Sequence, residues 1–118
     1  MTTKTYQLKT SNGEIICKKM IVANTMLSRM KGLMFATEIP GDGLLLKPGN
    51  SIHTFFMLMS LDVVFLDKNF KVVKVIYNMT PWKMTRIYFK AHQVLEMKEG
   101  TLKKNLNPGE MLEAICIN

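Results

Sequence analysis

The sequence predicts an all-β fold, on three observations: turn signals recur at short intervals, β-favouring runs lie between them, and only one segment has helical character. Turns are marked at Ser11-Asn12-Gly13, Pro40-Gly41-Asp42-Gly43, Lys47-Pro48-Gly49-Asn50, Asp67-Lys68-Asn69 and Asn107-Pro108-Gly109. Glycine there supplies positive φ, proline presets φ, and Asn or Asp side chains bond their own backbone. Short strands at this spacing predict a compact double-sheet sandwich or barrel, jelly-roll-like in outline.

Each run can be read in turn. Tyr6 and Leu8 alternate with Gln7 and Lys9, and after Asn12-Gly13 the chain resumes as Glu14-Ile15-Ile16-Cys17, which is a hairpin signal. The segment 25–32 (Thr25-Met26-Leu27-Ser28-Arg29-Met30-Lys31-Gly32) has a capping residue first, unbranched helix formers inside and glycine last. It predicts one short α-helix, whose Met26, Leu27 and Met30 must pack on the sheets to hold it. Asp62 to Asp67 is apolar on both parities, as in a strand covered on two sides. Phe70 to Tyr77 follows after a tight turn, and Ala91–Met97 and Met111–Ile117 read as two more strands.

The 118 residues, 47% of them hydrophobic, suit a single domain over 1–118 with one core. No apolar run is long enough for a transmembrane span. The start of the chain lacks a secretory pattern, so the protein is cytoplasmic as written or exported with its signal removed. Cys17 and Cys116 both sit in strand-like apolar segments and read as buried reduced thiols. Neither belongs to a metal-ligand spacing, so no metal or other cofactor is expected.

The net charge is +7, but only Arg29 and Arg86 are arginines and the lysines are scattered. This looks like solvated strand faces, with no specific nucleic-acid partner. Eleven methionines are read mainly as core filling.

The stretch Ser51 to Asp62 is the most unusual. Read as a strand, it points His53, Phe55, Met57 and Met59 one way and Thr54, Phe56 and Leu58 the other. Asp62 is expected to cap a turn and His53 to donate to a backbone carbonyl; the functional alternative joins His53 with Asp62 or Glu96 in one cluster. Glu96 reads as a solvent-facing strand residue opposite a lysine, or else as an inward acid near a pocket. His92 belongs on the surface. No serine elbow, phosphate loop or dinucleotide fingerprint is present, and neither cysteine has a setting that would activate it.

Further residues carry a family resemblance: Thr25, Arg29, Gly32-Leu33-Met34, Gly43-Leu44-Leu45-Leu46, His53-Thr54-Phe55-Phe56-Met57, Leu61 to Asp67, Val94-Leu95-Glu96-Met97 with Gly100, and Pro108-Gly109-Glu110. In order and spacing, from about Ile21 onward, the chain resembles the prokaryotic family called domain of unknown function 192, in its His-Thr branch. It departs from that pattern at Ser28, Asn50 and Glu110, where an acidic residue, a cysteine and an aspartate are usual. The resemblance implies a compact double-sheet β fold, often exported or in the envelope, and no particular reaction.

The leading expectation is a monomeric, non-enzymatic binding module for a small molecule or protein, placed at the bacterial envelope. Its tentative ligand-binding residues are Arg29, His53, Thr54, Phe56, Met57, Asp62 and Glu96, with apolar walls and a few polar anchors. One alternative is a hydrolase or carbohydrate-active enzyme using Asp62 and Glu96 as paired carboxylates. Another is a non-specific nucleic-acid binder working through its lysines.

Overall fold

Hydrophobic alternation and turn chemistry build seven strands in the computed structural model, which describes residues 4–24, 33–102 and 105–117. In chain order these are β1 (Thr5–Thr10), β2 (Ile15–Ala23), β3 (Gly43–Leu46), β4 (Leu61–Leu66), β5 (Val72–Met79), β6 (Gln93–Lys98) and β7 (Leu112–Cys116). No helix occurs among the described residues. The helix expected over 25–32, with Arg29, lies outside them.

The strands form one sheet in the order β5-β4-β6-β3-β2-β1-β7. All neighbours are antiparallel except β2 and β3, which pair in parallel with Met20 opposite Gly43. The sheet curls until its two edge strands meet. Lys71 bridges Met111, the Val72 N–H donates to the Glu110 carbonyl at 2.8 Å, and the Leu112 N–H donates to the Phe70 carbonyl at 3.0 Å. The molecule is therefore a curled half-barrel joined at one corner. The expected sandwich or barrel outline is compatible with this single rolled sheet, in which β3 and β6 carry the hydrogen bonding continuously through the middle.

The enclosed face holds Leu8, Cys17, Met20, Leu45, Val64, Leu66, Leu95, Met97 and Leu112, drawn from six of the strands. The opposite face of β3, β4 and β6 is covered as well. Leu44, Val63, Phe65 and Val94 pack there with Ile52 and Met57 from the segment before β4, Met79 at the end of β5 and Ala91 from the segment between β5 and β6. Every residue of β4 is consequently buried, as its two-parity apolar run predicts.

Other expectations need correction. The run Gly43–Leu46 is a strand, although four consecutive apolar residues show no alternation. Residues 53–59 are not a strand. A turn forms there, with the Met57 N–H donating to the Thr54 carbonyl at 3.2 Å, and the buried side chains are Thr54 and Met57. Cys116 is exposed, since β7 is an edge strand, while Cys17 is buried; the two are not joined in a disulfide. Met20, Met57, Met79 and Met97 do fill the core, but Met84 is exposed.

The turn before β3 is tied to β2 by side-chain chemistry. The Asp42 carboxylate accepts the backbone N–H groups of Lys18 and Lys19 at 2.7 and 2.8 Å and the Cys17 thiol at 2.8 Å. Partial burial works to raise the Asp42 carboxyl, yet those donors outweigh it and hold it below the usual carboxylate range. Burial pushes the Cys17 thiol upward, and the neighbouring carboxylate adds to this, so it is no nucleophile. Gly41 has φ +60°, and a Cβ there would drive into the Lys19 carbonyl, so only glycine fits.

Candidate functional site

Two segments without regular strand structure run antiparallel over the outer face and present the sequence-predicted residues. The Thr54 N–H donates to the Lys83 carbonyl at 2.8 Å, Thr85 to Ile52 at 2.9 Å and Tyr88 to Asn50 at 2.8 Å. Thr54 is the clip between them. Its buried hydroxyl donates to the Thr80 carbonyl at 2.7 Å and accepts the Lys83 N–H at 2.9 Å, while its own carbonyl accepts the Trp82 N–H at 3.0 Å.

What the clip holds up is a cluster of rings. Phe56 and Trp82 meet edge to face with centroids 4.7 Å apart, and Phe35 lies 5.6 Å from Phe56. Phe55 joins Trp82 at 5.9 Å and stacks on His53 at 4.9 Å. Buried rings would need no comment, but these stand in solvent: Phe35 is 63% exposed, Phe56 45% and Trp82 60%. Phe35, Phe56 and Trp82 also adopt φ of 61°, 63° and 65°. For bulky L-residues such backbone costs about 1–3 kcal/mol each and persists only where the surroundings enforce it. Here they do so in part through the Phe35 N–H, which donates to the Phe56 carbonyl at 2.9 Å.

The two segments that carry Phe56 and Trp82 bear only positive charge, while exposed Glu38 lies three residues from Phe35. Residues 47–61 and 80–95 contain Lys47, Lys83, Arg86 and Lys90 and not one Asp or Glu. The Arg86 guanidinium lies 5.4 Å above the Tyr88 ring, within cation–π range.

The remaining predicted residues are dispersed. His53 is exposed, and its Nδ1 accepts the Phe55 N–H at 3.2 Å. Met57 is buried in the outer cluster. Asp62 is buried, and its carboxylate accepts the N–H groups of Asn78 at 2.9 Å, Gly100 at 3.0 Å and Leu102 at 3.2 Å. Glu96 is only 1% exposed and lies opposite Val63 and Leu44, not at the surface beside a lysine. Its Oε2 has no hydrogen-bond partner among the described residues, and burial pushes the carboxyl up to about 8. Register places Asp62 opposite Met97 and Glu96 opposite Val63. Directly opposed residues share a face and neighbours alternate, so the two acids point to opposite sides of the sheet. They do not form a pair across one substrate. No group of three or more His, Cys, Asp or Glu placed to hold a metal ion occurs among the described residues.

With the fold and this surface in view, comparison with known proteins is informative. The family model for domain of unknown function 192, described as an uncharacterized ACR, matches residues 7–114. The chain belongs to that family. Among its relatives, a UPF0127 protein of Pyrococcus horikoshii is 36% identical over 91 residues, covering 74% of this chain and 77% of that one. A UPF0127 protein of Thermococcus sibiricus is 29% identical over 97 residues, covering 78% of this chain and 62% of that one. Two crystal structures share the fold. One is a Sinorhizobium meliloti protein named as a candidate transcription regulator, with TM-score 0.77 and 23% identity, covering 96% of this chain and 94% of that one. The other is a Novosphingobium aromaticivorans protein of unknown function, with TM-score 0.73 and 21% identity, covering 94% and 84%. At these identities the likeness speaks for the fold alone.

In this member of the family, Phe35, Phe55 and Trp82 are not among the ligand-binding residues that the sequence predicts. The available signal was the lone tryptophan at Pro81-Trp82-Lys83, a large apolar residue inside a polar turn. Thr54 has a testable part in holding the rings. Thr54→Val keeps the shape but leaves the Lys83 N–H and the Thr80 carbonyl without their partner. It should cost about 1–3 kcal/mol in urea unfolding and change Trp82 fluorescence. Wild-type stability and emission in the variant would show that the clip is dispensable.

Proposed function

We propose that this protein is a small binding module whose contact surface is the ring cluster of Phe35, Phe56 and Trp82 with its basic surroundings. One observation carries the reading: three large aromatic residues from separate loops converge in solvent on strained backbone. Folding gains little from that arrangement, since ordering costs entropy and the rings stay largely wet. A contiguous apolar patch on a small protein commonly marks an interaction surface. The absence of carboxylates from 47–61 and 80–95 favours a partner that is anionic as well as apolar.

The paired-carboxylate enzyme finds no support in this geometry, because its two acids lie on opposite faces. An anionic apolar dye, 8-anilinonaphthalene-1-sulfonate, tests the binding reading. The folded protein should enhance its fluorescence at neutral pH, and Trp82→Ser should reduce the enhancement severalfold while unfolding remains cooperative. No enhancement, or equal enhancement by the variant, would remove the basis for this surface.

A further inference from the structure

We infer that the partner is an anionic lipid surface, on which the Trp82 face docks peripherally. This rests on the binding reading above and names its occupant. The first argument is the mixture of side chains. Beside the rings, Leu58 is 60% exposed and Met84 68%, and further along the same ribbon Ile87 is 47% and Phe89 83%. Aliphatic groups offer nothing to a stacking base, whereas an interfacial protein uses them to enter the acyl boundary.

Ring geometry argues the same way. Interplanar angles of 41°, 30° and 61° show rings leaning into one another, an apolar knob and not a row of open parallel faces. Tryptophan in particular favours the boundary between headgroup and hydrocarbon, with its polar N–H toward water. Positive φ at Phe35, Phe56 and Trp82 sets these side chains at turns, where they can project beyond the main chain.

Charge supplies the third argument. Lys83 and Arg86 alternate with the exposed Trp82, Met84 and Ile87, and all five are exposed. Cations interleaved with apolar groups, with no carboxylate in 80–95, match an anionic headgroup layer over acyl chains. No helix among the described residues is long and apolar enough to cross a membrane.

Trp82 is the only tryptophan, so its emission reports on this face alone. The intact chain would be mixed with phosphatidylcholine vesicles, with or without phosphatidylglycerol, then sedimented. Binding to the phosphatidylglycerol vesicles with a blue shift of Trp82 emission is the expected result. The double substitution K83E/R86E should weaken the partition at least about tenfold, and raising the salt should release the protein. Failure to sediment with anionic vesicles, or sedimentation without a blue shift, overturns the lipid assignment. Binding to single-stranded oligothymidylate but not to vesicles also overturns it, with the dye result intact. Loss of dye binding as well would take down the parent reading.

Discussion

Asp62→Ala should unfold at markedly lower denaturant than the parent, with a loss of about 3–6 kcal/mol in stability. The carboxylate accepts three backbone N–H groups, from Asn78, Gly100 and Leu102, and it is buried. Hydrogen bonds to a charged acceptor contribute about 1.5–3 kcal/mol each, and donors stranded in the interior add a desolvation cost. A loss of that size is a large part of the 5–15 kcal/mol that holds typical domains together. Asp62→Asn keeps one oxygen acceptor and should lose less. Urea unfolding at pH 7 measures both. A loss below about 1 kcal/mol for alanine would mean that these three amides find water or other acceptors, and that Asp62 is free for another task.

Glu96→Gln should have the opposite sign above neutral pH. The Glu96 carboxyl has an ordinary value of 4.5 and is pushed to about 8 by burial. The folded protein therefore holds a proton that the unfolded chain has released between those values. Stability from this source is fully present below about pH 4.5. It declines as pH rises, and the decline is complete above about pH 8. One unit corresponds to about 1.4 kcal/mol, so the full decline is about 5 kcal/mol. Glutamine has the same shape and does not titrate. The variant should be about 2–4 kcal/mol more stable than the parent at pH 8.5 and close to it at pH 4.5. Unfolding midpoints over this range would decide; a parent curve that is no steeper than the variant's between pH 5 and 8 contradicts an unpartnered Glu96.

Local chemistry made some of this structure readable. The β1–β2 hairpin follows from Asn12-Gly13 and the alternation around it, and Gly13 takes φ +87° as the turn requires. Strand β4 follows from apolar residues on both parities. Strand β3 was not readable, because Leu44, Leu45 and Leu46 show no period of two and their partners in β2 and β6 are remote in sequence. The misread segment 53–59 alternates by accident: Phe56 at φ 63° breaks the extended chain, and nothing about phenylalanine announces a left-handed backbone. Of the two readings of Glu96, the inward one holds and the solvent-facing one does not, for a related reason. Its neighbours Leu95 and Met97 do not reveal what lies across the sheet; Val63 and Leu44 do. The ring cluster required tertiary knowledge too, since Phe35, Phe56 and Trp82 come from three separated loops. His53, Thr54 and Phe56 do belong to this surface or support it, whereas Met57, Asp62 and Glu96 lie in the interior.

The β1–β7 pairing sets the tempo of assembly. Tyr6 lies opposite Cys116, about 110 positions later, whereas β1 reaches β2 across one short turn. Closing so long a loop costs about 4 kcal/mol of chain entropy by the logarithmic law, before any strand contact repays it. Until β7 arrives, Leu8 and the apolar wall beside it lack the cover that Leu112 provides. A chain emerging from the ribosome must therefore carry an uncovered core face until β7 has been made. Pairings so distant in sequence slow folding in general, and this one is expected to do so here.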